Sequence, residues 1–172
     1  MQKVRTHNSK KGEGGEVMTA ERLLYLIGSV PVPALPEFVA AEKFRVGETT
    51  DGLTVGWLDD NFKKHFLGKI EEAVEAAELR VHELIKPSRD PALIAELGGG
   101  DKAEISLGQF WHFLTKANRV RWWVCWYCAH IRDLDRVLWV VSASWGGVDL
   151  RVAVRSVDNP FRLDAGRRFL SR

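Results

Sequence analysis

Across VDLRVAVRSV, Val148 to Val157, the apolar residues Leu150, Val152 and Val154 alternate with Arg151, Ala153 and Arg155. A two-residue period sends successive side chains to opposite faces of a strand, so this segment is committed to a sheet with unlike faces. The segment before it has the same grammar. In LWVVSASW, Trp139, Val141, Ala143 and Trp145 share one face, while Val140, Ser142 and Ser144 share the other. RWWVCWYCAHI is aromatic and β-branched, RDLDR supplies a turn, and Gly146-Gly147 supplies another. DNPFRLDAG makes a long bend and RRFLSR closes the chain. The expectation is a meander of antiparallel strands in which one face is core and the other is an outward set of small, polar and arginine side chains.

The front of the chain reads differently. Thr19 can cap a helix through Ala20–Ile27. Three prolines in VPVPALPEF then force an extended path. GLTVGWL has strand chemistry, and DDNFKKHFLGK reads as a short helix. In KIEEAVEAAELRVHELIKP, Ile70, Val74, Ala77, Val81 and Leu84 fit a helical stripe, while Leu79 and Val81 alternate as in a strand. The first half is expected to be helical and the second half is left open. DPALIAELGGG has the signature of a short helix, with Asp90 as cap, Pro91 in the first turn and glycines after its end. SLGQFWHFLTKA, Ser106–Ala117, reads as another, with Leu107, Phe110, Trp111 and Leu114 facing inward. The class is α+β, with helices of the first two thirds packed on a C-terminal antiparallel strand meander.

Residues 1–17, MQKVRTHNSKKGEGGEV, are polar and glycine-rich and read as a flexible tail or leader without a secretory apolar core. The remainder, 18–172, is long enough for one domain with a substantial core. No apolar run approaches the roughly 18 residues of a membrane span.

The two parts also differ in composition. From Ala117 to Arg172 there is no Lys, Glu, Gln or Met, yet ten Arg and five Trp lie in that span. The first 116 residues hold all ten Lys and all thirteen Glu. The front carries 15 basic against 18 acidic residues, a net −3; the back carries 10 Arg against 5 Asp, a net +5. Solvated sheet faces ordinarily use lysine and glutamate freely, so an outward face of Arg, Ser and Ala needs another cause. The genetic code supplies one. Asparagine-type AAY codons randomised at their adenines become NNY codons. These encode Arg, Ser, Ala, Asn, Phe, Asp, Cys, Tyr, Val and Gly, but never Lys, Glu, Gln, Met or Trp. The first four of those excluded types are the ones missing after Lys116, and the tryptophans would be fixed positions.

With that break, the order Arg155-Ser156, Asn159-Pro160 and Gly166-Arg167-Arg168-Phe169 resembles the ending of variable proteins of diversity-generating retroelements. The resemblance covers about the last third of the chain, candidate variable region 117–172. It is closer to a divergent subclass from uncultivated archaea and candidate-phylum bacteria than to the familiar bacterial members, whose glycine-phenylalanine-arginine ending has an additional arginine here. It implies a C-type-lectin-like fold whose final segment is rewritten by adenine mutagenesis. It also implies a non-enzymatic protein that binds a macromolecular ligand, a protein or a surface glycan, and is displayed on a cell or virion surface through a partner. The variable, ligand-binding positions it implies are Cys125, Tyr127, Ser142, Ser144, Arg151, Ala153, Arg155, Asn159, Phe161, Arg162, Asp164 and Arg167. Strand alternation alone already selects Ser142, Ser144, Arg151, Ala153 and Arg155.

Other chemistries find less in the sequence. Cys125 and Cys128 form one CxxC without two further ligands at metal spacing, and CWYCAH is not the CxxCH of haem attachment. GGGDK lacks the ending of a phosphate loop and reads as a helix stop. Glu71, Glu72, Glu75 and Glu78 read as a solvated helix face, and His65, His82 and His112 pair with no nucleophile. The tail has no dense Asp/Glu/Asn cluster for calcium, and no cofactor is expected. Arginines interleaved with aromatics are the alternative, a nucleic-acid-binding sheet, whose mark would be affinity falling steeply with salt. A purely structural subunit would respond to changes at Arg151 or Arg155 through assembly alone.

Overall fold

A computed structural model describes residues 21–119 and 125–172. The expected tail, 1–17, lies outside the described residues. The chain is α+β: one large mixed sheet with few helices. The strands expected over the last third form β7 (Tyr127–Arg132), β8 (Leu138–Gly146), β9 (Asp149–Ser156) and β10 (Arg168–Ser171). β7, β8 and β9 are the antiparallel meander that alternation predicts. The β8–β9 hairpin closes through Gly147, whose φ of 84° suits the positive-φ position of a primed two-residue turn.

The front half departs from expectation by contributing strands to the same sheet. The expected cap Thr19 and Ala20 also lie outside the described residues, and in place of the rest of that helix there is β1 (Leu24–Val32), paired antiparallel with β6 (Ala77–Leu84). Ile27, Val30 and Val32 are β-branched and Pro31 ends any helical register, so pairing across the sheet overrides the short apolar stripe. The first half of 69–87 is likewise not helical. It forms β5 (Ile70–Glu71), which meets β2 (Phe38–Val39), and Val74 bridges to Leu35. Its helical stripe was coincidental: Val81 lies in the main core, Leu84 in a second one on the other face, and Ile70 is exposed.

β10 is not a further step of the meander. It returns between β6, to which it is antiparallel, and β7, to which it is parallel. At the other side β4 (Leu53–Leu58) runs parallel to β9 and carries the two-residue β3 (Thr49–Thr50). The sheet order is β1-β6-β10-β7-β8-β9-β4-β3.

The helices are α1 (Ala40–Lys43), α2 (Asp60–His65), α3 (Asp90–Glu96), α4 (Gly100–Ala103) and α5 (Leu107–Arg119). α5 presents Leu107, Phe110, Trp111 and Leu114 to the main core, as its period requires. Its start is capped twice. Ser106 and Gln109 exchange hydrogen bonds of 3.0 Å each, a capping box. Glu71 accepts from the Leu107 and Gly108 amides at 2.9 Å each, so it clamps α5 and does not belong to a solvated helix face.

The sheet's second face is not simply outward. α3 and the 157–167 bend cover part of it, where Leu93, Leu97 and Leu163 pack on Cys128, Val140 and Phe169. Asp90, expected to cap α3, is its first residue and is wholly buried, with Arg89 in the cap position. At the β7–β8 turn, Asp133 Oδ1 accepts from the amides of Asp135 and Val137, and Oδ2 accepts from Trp139 Nε1 at 2.8 Å. Burial works against its charge, but these bonds outweigh it and hold the carboxyl below the ordinary aspartate range.

Candidate ligand-binding face

The twelve sequence-selected positions separate by burial into frame and surface. Tyr127 is fully buried on the main-core face, edge-on to Phe113 at 5.1 Å and to Trp145 at 6.1 Å. Ser142 is buried against Cys128, with 3.3 Å between hydroxyl and thiol. Arg155 bonds through Nη2 to the buried carboxylate of Asp90, whose other oxygen faces His130 Nε2 at 3.3 Å. All three were expected on the displayed face; Tyr127 and Ser142 are buried, and Arg155 is half-buried and spent on Asp90. The parity was right for Ser142 and Arg155, but α3 lies over that part of the face. Tyr127 sits on the opposite face altogether. Cys125 is half-buried against the main core, and burial pushes its thiol pKa up, which favours the unreactive form. Both cysteines are free.

Burial also pushes the Tyr127 phenol up to about 12, from a usual 10.0. Between those values the unfolded chain has lost this proton while the folded chain keeps it, so stability falls as pH rises through that window. Ultraviolet absorbance titration should show a tyrosine transition near pH 12 that Tyr127→Phe removes.

The remaining positions are accessible. Arg151, Phe161, Arg162 and Asp164 are exposed; Ser144, Ala153, Asn159 and Arg167 are half-buried. Asn159 turns the 157–167 bend by accepting from the Phe161 amide at 2.9 Å, leaving the Phe161 ring 75% exposed. The structure brings Ser144 and Arg151 together in a hollow of about 400 Å³ lined by Trp57, Trp126, Ser144, Trp145, Gly146 and Arg151. Arg167 borders it, its guanidinium 5.4 Å from the Trp126 ring.

Gly146 is what lets Arg151 lie down here. A Cβ at Gly146 would sit 2.8 Å from Arg151 Nε and 3.0 Å from its Cδ, so any larger residue there would push the arginine side chain out of this pose. Neither Arg151 nor Arg167 has an ion-pair partner among the described residues, and the buried Trp145 indole N–H meets no acceptor among them.

Three tryptophans of this hollow escape the sequence reading. Trp57 carries the clearest lesson. The register shift between Val55 and Trp57 turns it away from the core face that Leu53 and Val55 occupy, to lie beside Arg151. It is 46% exposed, whereas Leu58 returns to the core. Trp126 and Trp145 lie within the arginine-rich segment, and the signal that could have found them is their residue type alone.

No family model, curated protein or solved structure matches the chain. The site therefore has to be read from its own chemistry. A second cleft, of about 410 Å³, lies between the proline segment and α5, and its Asp51 is already engaged. Asp51 holds Lys43 at 2.7 Å and Trp111 Nε1 at 2.8 Å, contacts that keep its carboxyl below the ordinary range. Among the described residues no group of three or more His, Cys, Asp or Glu is placed to hold a metal ion, and no helix is long and apolar enough to cross a membrane. What the Trp/Arg hollow can do is bind: it offers flat apolar faces, unspent donors and positive charge.

Proposed function

We propose that this chain is a non-enzymatic binding protein, the variable protein of a diversity-generating retroelement, with a C-type-lectin-like fold. Its ligand-binding surface centres on the hollow at the β8–β9 hairpin. The observation that carries this reading is that Arg151 and Ser144, selected from sequence as diversified positions, line one open hollow with three tryptophans that NNY codons cannot encode. Such a site has a fixed aromatic wall and replaceable neighbours. A rigid sheet tolerates that arrangement, because exposed substitutions usually shift stability by no more than about 0.5 kcal/mol. Trp and Arg are also the residues on which interface energy concentrates. The ligand is macromolecular, and a partner carries the protein to a cell or virion surface.

Burial and pairing refine the set of diversified positions to Ser144, Arg151, Ala153, Asn159, Phe161, Arg162, Asp164 and Arg167, with Tyr127 and Ser142, which are buried, and Arg155, which is spent on Asp90, assigned to the frame. Sequencing the DNA beside the gene tests this. The expected result is a near-copy of the codons for 117–172 that differs where the copy has adenine. The differences should fall at the refined set and spare the codons of Tyr127, Ser142 and Arg155. Absence of any near-copy in the genome would remove the retroelement reading.

A further inference from the structure

Resting on the reading of this hollow as the binding site, we infer that its occupant is an acidic segment of a protein partner: a carboxylate seated on Arg151 with a neighbouring ring packed on the indoles. The lining is chemically one-sided. Arg151 brings a guanidinium that can only donate, Ser144 contributes one hydroxyl, the three tryptophans carry no acceptor, and no lining side chain is a carboxylate or carboxamide. A cationic ligand, which aromatic walls alone would welcome, is opposed by Arg151 in the lining and by Arg167 against Trp126.

The charge available is also local. Arg155, the next outward arginine along β9, is consumed by Asp90 and cannot extend a cationic track. A nucleic-acid strand needs such a track to follow its phosphates. One unpaired guanidinium in the lining, laid flat across Gly146, instead suits a single carboxylate, which it can grip through two parallel N–H···O bonds. Trp and Arg together are what protein interfaces concentrate at their centres, and an acidic residue beside an aromatic one is a protein's way of presenting a carboxylate next to a ring.

The test uses the full chain labelled at its tryptophan indoles, titrated with three N-acetylated, C-amidated tripeptides: Asp-Phe-Asp, Asn-Phe-Asn and Lys-Phe-Lys. A charge-assisted hydrogen bond exceeds a neutral one by about 1.4 kcal/mol, so the acidic peptide should bind roughly tenfold more tightly than the neutral one. It should shift indole N–H resonances that Trp57→Ala, Trp126→Ala or Trp145→Ala removes, and the lysine peptide should leave them in place. Arg151→Glu should reverse the order of the three peptides with an unchanged melting temperature.

Equal affinity for acidic and neutral peptides would overturn the inference, as would acidic binding that moves no indole or survives Arg151→Glu. Tighter binding of oligothymidylate or of an oligo-uronate would overturn it in favour of a strand or a sugar acid. A near-copy of the variable codons combined with the wrong peptide order would sink this ligand assignment and leave the retroelement reading standing. The right order without a near-copy would do the reverse.

Discussion

Arg155→Met will destabilise the protein by about 3 kcal/mol or more in denaturant unfolding, while Arg151→Ser will change stability by no more than about 0.5 kcal/mol. The two arginines are four residues apart on β9 and point to the same face, so a sequence argument ranks them alike. Their surroundings do not. Asp90 is wholly buried, and its carboxylate is held by Arg155 on one side and His130 on the other. Removing the guanidinium leaves a buried carboxylate with one imidazole, at 3.3 Å, as its remaining side-chain partner, and that uncompensated charge is the source of the cost. Adding Asp90→Asn to Arg155→Met removes the charge itself and should recover more than half of the loss. Equal costs for Arg155→Met and Arg151→Ser, or no recovery in the double variant, would mean that the pairing does not secure α3 to the sheet.

The same contrast shows how far the sequence could be read. β7, β8 and β9 follow from strict alternation, and α5 follows from Leu107, Phe110, Trp111 and Leu114 at helical spacing, because each pattern is long and local. β1 and β6 were not legible in this way. Their short apolar runs suit either state, and the deciding contacts are with each other and with β10, more than eighty residues along the chain from β6. The covering of the second face was hidden for a related reason. Nothing near Ser142 or Arg155 announces that α3 will lie above them; the information sits in Leu93, Leu97 and Asp90. The face of Trp57 was equally hidden, since the bulge between Val55 and Trp57 reverses the parity beyond it. Local alternation is enough to select Ser144 and Arg151 as accessible positions, whereas the burial of Tyr127 and Ser142 and the pairing of Arg155 are set by residues distant in sequence.

Tyr127→Ala should cost about 3–5 kcal/mol, the range for emptying an aromatic site in a packed core. The ring is fully buried between Phe113 of α5 and Trp145 of β8, so its loss opens a cavity where helix and sheet meet. Tyr127→Phe keeps the ring and gives up the hydroxyl that accepts from Arg168 Nη1 at 3.0 Å, a loss of about 1 kcal/mol. The measurement is denaturant unfolding of the three proteins, with Arg151→Ser as the surface reference. A Tyr127→Ala cost near that reference would return Tyr127 to the displayed positions and undo the division between frame and surface. The predicted order has a consequence for diversification. NNY codons at position 127 would encode Ala, Ser, Gly and Asp as readily as Tyr, and most resulting chains would lose a large share of the 5–15 kcal/mol that ordinarily separates folded from unfolded protein. A diversified site can persist only where its replacements leave the fold intact, which Arg151 over Gly146 satisfies and Tyr127 beneath the sheet does not.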